Sequence, residues 1–327
     1  MSGAATPDIA GDWFAAMRRG DWEAAWRATD RIELPRRVAQ RAPGFVRGEN
    51  HLRWDGTPPA NRTVLVRCEH GLGDTLQFMR FLPLLRAAQL HFMVQPQLLR
   101  LLQGVAGLGD VRNYWTDDPL PPHDVDVEVM ELPYALRMTL ARLPPPPAQL
   151  RERLPRPAGL PLRDEGRLRV GLLWAASDWD ASRTVPLPAL APLFALEEVQ
   201  FFSLQQGEAA RDPLLQRLPI ACLSAQTTQV EVAAAAMCAL DLVISVDGMP
   251  AHLAGTLGCP TWVLLKREAD WRWMEAREDT PWYPTMRLFR QPRAGDWAAV
   301  GERVAAALQE VAAGRRHQAS RQQVGWW

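Results

Sequence analysis

The sequence has almost no lysine and no excess of charge of either sign. Lys266 is the only lysine among 37 basic residues, which 37 acidic residues balance to a net charge of zero. A neutral chain lacks the broad field that favours nucleic acid or an anionic membrane. Any bound anion must therefore be held locally, by individual arginines and amides. The preference for arginine itself has an ordinary explanation in a GC-rich genome, which we favour over selection for phosphate contacts.

Cysteine is scarce, and long hydrophobic runs are absent. The four cysteines contain no Cys-x-x-Cys pair: they are Cys68, Cys222, Cys238 and Cys259. This scatter argues against a zinc site and a disulfide framework, and is typical of a reducing compartment. Residues 1–20 lack the apolar core of a signal peptide, and charged side chains interrupt the most apolar stretch, residues 230–246. The sequence therefore predicts a cytoplasmic protein with no membrane span.

Composition divides the chain into successive parts. Residues 1–50 predict short helices, whose spaced tryptophans and alanines resemble one degenerate tetratricopeptide-like unit. One such unit cannot bury its own face, so we expect it to pack on the following domain. Domains are predicted over 51–150 and 165–314, separated by a proline-rich linker over 143–163. Residues 315–327 form a tail.

Strands and helices alternate within both predicted domains. The candidate strands are Thr63–Glu69, Leu90–Gln95, Val111–Trp115 and Val125–Val129, then Val170–Trp174, Gln200–Leu204, Leu242–Val246, Thr261–Leu265 and Arg287–Arg290. Such alternation predicts an α/β fold with parallel sheets and right-handed crossovers. Open sheets of this kind bind ligands at the carboxyl ends of their strands, and three motifs stand there.

The first motif is Glu69-His70-Gly71-Leu72-Gly73-Asp74, between a strand and a predicted helix over Thr75–Ala87. Gly71 and Gly73 would permit positive φ angles and a close approach by a ligand. Asp74 would lie at or near the helix N-terminus, and the spacing alone favours a simple N-cap. The third glycine of a dinucleotide-binding loop is missing, because Leu76 stands in its place.

The second motif is Trp174-Ala175-Ala176-Ser177, followed by Ser182-Arg183-Thr184. A strand that ends in small residues and hydroxyls can present amides to a phosphate, and Arg183 could add a bidentate contact. A surface loop with a solvated arginine is the other interpretation, and the residues do not decide between the two.

The third motif, Asp247-Gly248-Met249-Pro250, opens a helix that contains His252. Exposed amides at such a helix start would bind an anion. His252 would lie near the ligand if the helix points there, although a lone histidine is usually structural. A fourth group, Trp271-Arg272-Trp273 with Trp282-Tyr283, could stack on a sugar or base or could pack in the core.

Together these segments resemble glycosyltransferase family 9, the ADP-heptose:lipopolysaccharide heptosyltransferases, and in particular bacterial members that follow tetratricopeptide repeats. The ordered set covers about residues 54–308. The matching residues are Glu69 to Phe78, Val170 to Ala175, Ser203-Leu204-Gln205, Asp247 with Ala251 to Gly255, and Asp270 to Trp273 with Trp282-Tyr283.

The resemblance implies two Rossmann-like domains that face a cleft, the arrangement called GT-B. It further implies metal-independent, inverting transfer of a sugar from a nucleotide-diphosphate donor to a glycan, lipopolysaccharide or protein, with no cofactor and at most peripheral membrane contact. Asp74 matches the family's catalytic aspartate. The other implied site residues are Gly71, Gly73, Trp174, Ala175, Ala176, Ser177, Arg183, Gln205, Asp247, Gly248, Met249 and His252.

The chain departs from the family pattern at positions that bear on the donor. Gly248 stands where the family usually has threonine, which removes a hydroxyl that could reach the diphosphate. Arg183 is the expected phosphate cation where heptosyltransferases often use lysine. These departures leave open an inactive nucleotide-sugar-binding or protein-binding module, with the N-terminal helices as its docking surface. Sugar-nucleotide epimerases share the two-domain plan but lack the tryptophan-rich late segment.

Overall fold

The computed structural model describes most of the chain in two units. The described residues are 8–40, 54, 56–147, 149–155 and 166–324, with side chains up to 315. Much of the predicted linker and the end of the predicted tail therefore lie outside them.

Residues from two parts of the chain make up each unit. Unit 1 comprises Met1–Pro146 and Asp270–Arg277, and unit 2 comprises Pro147–Ala269 and Glu278–Trp327. The predicted second domain, 165–314, therefore needs a correction. The segment Asp270–Arg277 belongs to unit 1 because its side chains bond and pack with residues there, as described below.

Unit 1 contains a parallel sheet flanked by short helices. Its elements are α1 (Ile9–Arg19), α2 (Trp22–Gln40), β1 (Thr63–Arg67), α3 (Leu72–Phe78), β2 (Gln89–Val94), α4 (Pro96–Leu102), β3 (Asp110–Asn113), β4 (Val125–Glu128) and α5 (Leu132–Ala135). The strand order among the described residues is β3-β2-β1-β4. Central β1 is buried from Val64 to Arg67, as expected for an apolar parallel strand covered on both faces.

The two N-terminal helices pack within unit 1. Asp8 caps α1 by accepting a hydrogen bond from the Gly11 amide, and Gly20 ends α1 at a φ of 76°. The apolar face of α2 is buried at Trp22 and Trp26, and the Trp26 indole donates to the Met138 carbonyl at 2.7 Å. Their likeness to a tetratricopeptide unit stays a prediction.

The helix after the first motif differs from the prediction of Thr75–Ala87. It begins at Leu72, because the extended backbone of Gly71 (φ −70°, ψ 155°) takes the N-cap position. It ends at Phe78 and gives way to a 3₁₀ helix, Met79–Leu84, that contains Pro83. A proline has no N–H for the α-helical ladder and clashes with the preceding turn.

Unit 2 contains a wider parallel sheet. Its elements are α6 (Gln149–Glu152), β5 (Leu168–Leu173), β6 (Val199–Ser203), β7 (Ile220–Cys222), α7 (Val230–Ala239), β8 (Leu242–Val246), α8 (Met249–Thr256), β9 (Thr261–Leu265), β10 (Met286–Arg290) and α9 (Trp297–Val324). The strand order in the described chain is β10-β9-β8-β5-β6-β7. Within the described ranges, no helix combines the length and apolar content that a membrane span requires.

Each sheet has one point where the chain reverses its direction of travel across the sheet. From β5 the chain continues to β6 and β7 on one side, and then returns to β8 on the other side. In the same way, β1 leads to β2 and β3 before β4 adds to its other edge. At the carboxyl edge, the loops that follow β5 and β8, or β1 and β4, lie on opposite sides of the reversal point, which is where sheets of this topology have a crevice.

Candidate functional site

In unit 1 the crevice holds Asp74, the third residue of α3. Its Oδ2 accepts a hydrogen bond from the Gly71 amide at 2.9 Å, and its Oδ1 accepts one from Arg272 Nη2 at 2.5 Å. The Asp74 side chain is 22% exposed, and that of Arg272 is 10% exposed. Asp74 thus accepts a bond at the helix start, as the capping interpretation requires, and also forms a partly buried ion pair.

The two glycines of this motif do not have the positive φ angles expected of them. Gly71 has a φ of −70° and Gly73 lies within α3. Gly71 matters for space, because an added Cβ would lie 3.1 Å from Asp74 Oδ2. The glycine therefore lets the carboxylate fold back on the backbone.

Arg272 is the residue that sequence reasoning missed in this crevice. Besides Asp74 it donates to Gln77 Oε1 at 2.8 Å and to Asp270 Oδ1 at 2.9 Å. Its guanidinium carbon lies 4.6 Å from the centroid of the Trp271 ring, within the range of a cation–π contact. The Trp-Arg-Trp motif was a visible signal, but nothing local links it to α3.

Helix α1 supports the segment that carries Arg272. Trp13 packs edge to face on Trp271, with ring centroids 5.3 Å apart, and the Glu275 amide donates to the Arg18 carbonyl at 3.1 Å. The N-terminal helices therefore help to hold the arginine that binds Asp74.

A second acid that sequence reasoning missed ends β4. Glu128 is buried, and its Oε2 accepts a hydrogen bond from the Met130 amide at 2.6 Å. Burial raises the pKa of Glu128 to about 7; the Met130 bond opposes this rise and the charge of Asp74 adds to it. Its Oε1 lies 4.0 Å from His70 Nδ1. The crevice of unit 1 thus holds two carboxyl groups in different environments.

In unit 2 the amides after β5 are used within the protein. Trp174 and Ala175 donate their amides to Gln205 Oε1 at 3.0 and 2.9 Å, and Ala176 donates to Thr184 Oγ1 at 3.1 Å. Gln205 and Thr184 therefore already accept from these three amides, and the role of Trp174, Ala175 and Ala176 in donor binding stays a prediction. The next residue, Ser177, is exposed.

Arg183 brings the second and third motifs together. Its Nη1 donates to the Asp247 carbonyl at 3.2 Å, and its Nε donates to the Asp180 carbonyl at 3.4 Å. Its guanidinium carbon lies 5.3 Å from the ring centroid of Trp179, which is 84% exposed. The loops after β5 and β8 are thus joined at the reversal point of the sheet.

Lys266, which directly follows β9, adds a second cation that sequence reasoning did not assign. Its Nζ donates to Asp180 Oδ2 at 2.7 Å and to Ser182 Oγ at 3.0 Å. The hydrogen bond from Lys266, and then the bond from Ser182, hold the pKa of Asp180 below its usual value. The lysine was visible in the sequence, but its place beside this loop was not.

The start of α8 offers fewer amides than predicted. Ala251 and His252 donate to the Gly248 carbonyl at 3.1 and 3.3 Å, and Pro250 has no N–H. Within this turn, the amides of Gly248 and Met249 remain to meet an anion. Gly248 has an extended backbone (φ 168°, ψ −177°), and an added Cβ would have only an ordinary contact of 3.7 Å with Pro250.

His252 and most of the late aromatic group belong to the core. His252 is 4% exposed, and its Nδ1 lies 3.0 Å from the Tyr283 hydroxyl. Trp273, Trp282 and Tyr283 are fully buried. Core packing is therefore the correct interpretation of these aromatic residues. His252 packs against Tyr283, and its place beside a ligand stays a prediction.

Comparison with known proteins gives a partial sequence match. No protein-family model matches the chain. The chain is 26% identical over 303 residues to Protein FlbA of Caulobacter vibrioides. The match covers 80% of this chain and 49% of that protein. The chain thus spans about half the length of this curated relative.

Two solved structures share the fold across nearly their whole length. The glycosyl transferase family 9 protein from Veillonella parvula has a TM-score of 0.59 at 10% identity, over 79% of this chain and 99% of that one. The E. coli ADP-heptose lps heptosyltransferase II has a TM-score of 0.51 at 14% identity, over 78% of this chain and 99% of that one. The chain therefore has the α/β fold of the GT-B heptosyltransferases.

Proposed function

We propose that the chain is a metal-independent, inverting glycosyltransferase that moves a sugar from a nucleotide-diphosphate donor to a glycan, lipopolysaccharide or protein hydroxyl. The observation that carries this proposal is the hydrogen bond from Arg183 to the Asp247 carbonyl. It joins two loops of unit 2 at the edge where sheets of this type bind ligands. The two solved structures of this fold, titled as a family 9 glycosyl transferase and an ADP-heptose heptosyltransferase, support a nucleotide-sugar donor.

The charges at this edge suit a diphosphate. The Arg183 side chain is 14% exposed, and its guanidinium has donors beyond the two that bind backbone carbonyls. Lys266 adds an ammonium close by, through their shared partner Asp180. The amides of Gly248 and Met249 complete a set of donors without a metal ion. Each of these groups would stabilise the charge that develops on the departing diphosphate.

Asp74 is the proposed base. As the acceptor oxygen forms its bond to the anomeric carbon, its proton passes to Asp74, and the diphosphate leaves with the electron pair of the broken bond. Base catalysis of this kind contributes on the order of 10²–10⁴-fold. Arg272 bonds to the proposed base but not to the reacting atoms. It acts as a positioning residue, because its ion pair sets the direction of the Asp74 carboxylate.

A binding module without activity is the second candidate, and a specific observation favours it. Both oxygens of Asp74 already accept hydrogen bonds, from Gly71 and Arg272. These bonds use two of the roughly four lone-pair positions of the carboxylate, so the acceptor hydroxyl must approach one that is left. Gly248 also lacks the hydroxyl that the family usually provides at this position.

Ligand binding and turnover separate the two candidates. Thermal shift across nucleoside diphosphates and nucleotide-sugars identifies the donor, and mass spectrometry after incubation with host extract detects transfer. We expect Asp74→Asn to keep its affinity for the donor and to lose at least about 10²-fold in turnover. Arg183→Gln should instead lower the affinity for the donor. Asp212→Asn is the matched control, because Asp212 also accepts a bond at a helix start, from the Leu214 amide.

The outcomes decide between the proposals. Full turnover in folded Asp74→Asn protein would remove Asp74 from its role. Stabilisation by a nucleotide-sugar with no product would support the binding module. A chain that no nucleotide or nucleotide-sugar stabilises would contradict both the transferase and the nucleotide-sugar-binding module.

A further inference from the structure

The fold brings together two cysteines that the sequence leaves apart. Cys238 lies in the last turn of α7, and Cys259 lies between α8 and β9. Their Sγ atoms are 3.5 Å apart, although 21 positions separate them in the chain. Cys238 is partly exposed and Cys259 is buried, so solvent reaches one thiol of the pair.

We propose that Cys238 and Cys259 form a modification site that a peroxide oxidises to an intrachain disulfide. The Cys238 thiol loses its proton, and the thiolate attacks one peroxide oxygen. The O–O bond breaks, the sulfur becomes a sulfenic acid, and the departing hydroxide takes up the proton and leaves as water. The Cys259 sulfur then attacks the Cys238 sulfur, the S–O bond breaks, and a second water leaves. In total, two thiols lose two hydrogen atoms and one hydrogen peroxide becomes two waters.

The two sulfurs have different surroundings, and the difference favours attack by Cys238 on the peroxide before Cys259 reacts. The hydrogen bond from Cys259 lowers the pKa of Cys238; burial opposes this, and the charge of Arg151 adds to it. The hydrogen bond to Cys238 and burial raise the pKa of Cys259. Thiolate character and exposure both favour Cys238 as the first sulfur to react.

The bond can form with little movement. A disulfide needs about 2.05 Å between its sulfurs, so the pair must close by roughly 1.5 Å. Helices α7 and α8 are in contact, and the new bond would fasten the end of α7 to the turn after α8. These elements precede and follow β8 and its Asp247 turn in the chain.

The other two cysteines supply the contrast. Cys68 is buried, and burial raises the pKa of its thiol. Cys222 is exposed on edge strand β7. We therefore expect a disulfide that involves neither of them.

The test uses the reduced full-length chain and hydrogen peroxide. Remaining thiols are blocked with N-ethylmaleimide, and the protein is digested without reductant for mass spectrometry. We expect free thiols to fall from four to two. One peptide pair, containing Cys238 and Cys259, should appear two hydrogen atoms lighter than its reduced parts and disappear with dithiothreitol. Cys222→Ser should form the same bond, and Cys259→Ser should accumulate a Cys238 sulfenic acid that dimedone traps.

Three outcomes would overturn the proposal. One is retention of all four thiols at a peroxide dose that fully oxidises glutathione added to the same sample. Another is a wild-type Cys238 that proceeds to sulfinic acid without a crosslink. The third is crosslinking only between separate chains, through Cys222.

Discussion

Replacing Arg272 with glutamine should destabilise unit 1, because the guanidinium lies between two carboxylates. Its Nη2 is 2.5 Å from Asp74 and its Nη1 is 2.9 Å from Asp270. Exposed ion pairs contribute up to about 1 kcal/mol, whereas removing one partner of a buried pair costs about 3–5 kcal/mol. With Arg272 10% and Asp74 22% exposed, we expect a loss of about 2–3 kcal/mol. At about 2–4 °C per kcal/mol for a unit of this size, Tm should fall by roughly 4–12 °C.

A double-mutant cycle isolates the ion pair from the other contacts of Arg272. Urea unfolding of Asp74→Asn, Arg272→Gln and the double variant should give a coupling energy of about 1–2 kcal/mol. The matched control is Arg18 with Glu275, which joins α1 to the same segment at 3.5 Å but is 43% and 64% exposed. Its cycle should give less than about 0.5 kcal/mol.

The same variants test whether Arg272 positions the base. Arg272→Gln should lower kcat for transfer and leave donor affinity unchanged, and Arg272→Lys should recover part of the loss because it keeps the charge without the planar fork. If the Asp74 and Arg272 substitutions add to within about 0.5 kcal/mol, as in the control cycle, the claim that this arginine holds the carboxylate is refuted.

Three further substitutions, two of them with a comparison variant, probe the two crevices and their support. Gly248→Thr should fold normally, since an added Cβ meets nothing closer than 3.7 Å, and calorimetry should show donor bound about 2–10-fold more tightly through one new hydrogen bond. Gly255→Ala, whose Cβ would lie 2.6 Å from an aromatic ring, should instead unfold at lower temperature. The pKa of Glu128 is raised from 4.5 to about 7, so its contribution to stability is present below pH 4.5 and lost as pH rises to about 7. Urea unfolding should show that the free energy of unfolding differs less between pH 5 and pH 8 in Glu128→Gln than in the wild-type chain. Trp13→Ala should lower kcat, although Trp13 touches no proposed ligand. Phe14→Ala is its comparison, because the Phe14 side chain is 44% exposed. It should change the steady-state rate less than Trp13→Ala does.

The strands could be predicted because their signal is local. Leu242–Val246 and Thr261–Leu265 occupy the predicted residues, since a parallel strand buried on both faces is a short, unbroken apolar run. Strand β7, Ile220–Cys222, was missed because it has only three residues, none of them buried. Helix α9 continues to Val324, so most of the predicted tail, 315–327, is helical.

The loops of the site could be predicted, but not the partners that complete them. Glycines, hydroxyls and acids after apolar runs mark the carboxyl ends of strands, which drew attention to Asp74 and Arg183. The partners come from far along the chain: Arg272 is 198 positions from Asp74, and Lys266 is 86 positions from Asp180. No periodicity or spacing rule connects residues so distant, because only the folded topology brings them together.

The two crevices share a physical consequence that neither motif reveals by itself. In each, a side chain from elsewhere in the unit already forms hydrogen bonds with the loop. Gln205 accepts from the amides after β5, and Arg272 donates to an oxygen of Asp74. Groups already bonded are rigid and cost little to organise, but they contribute fewer donors to a ligand. In the proposed function, the charge of the donor diphosphate would then be met mainly by the side chains of Arg183 and Lys266. Attraction between partly exposed charges weakens as salt screens it, so binding that depends on these two cations weakens as ionic strength rises, more than binding to buried backbone amides would.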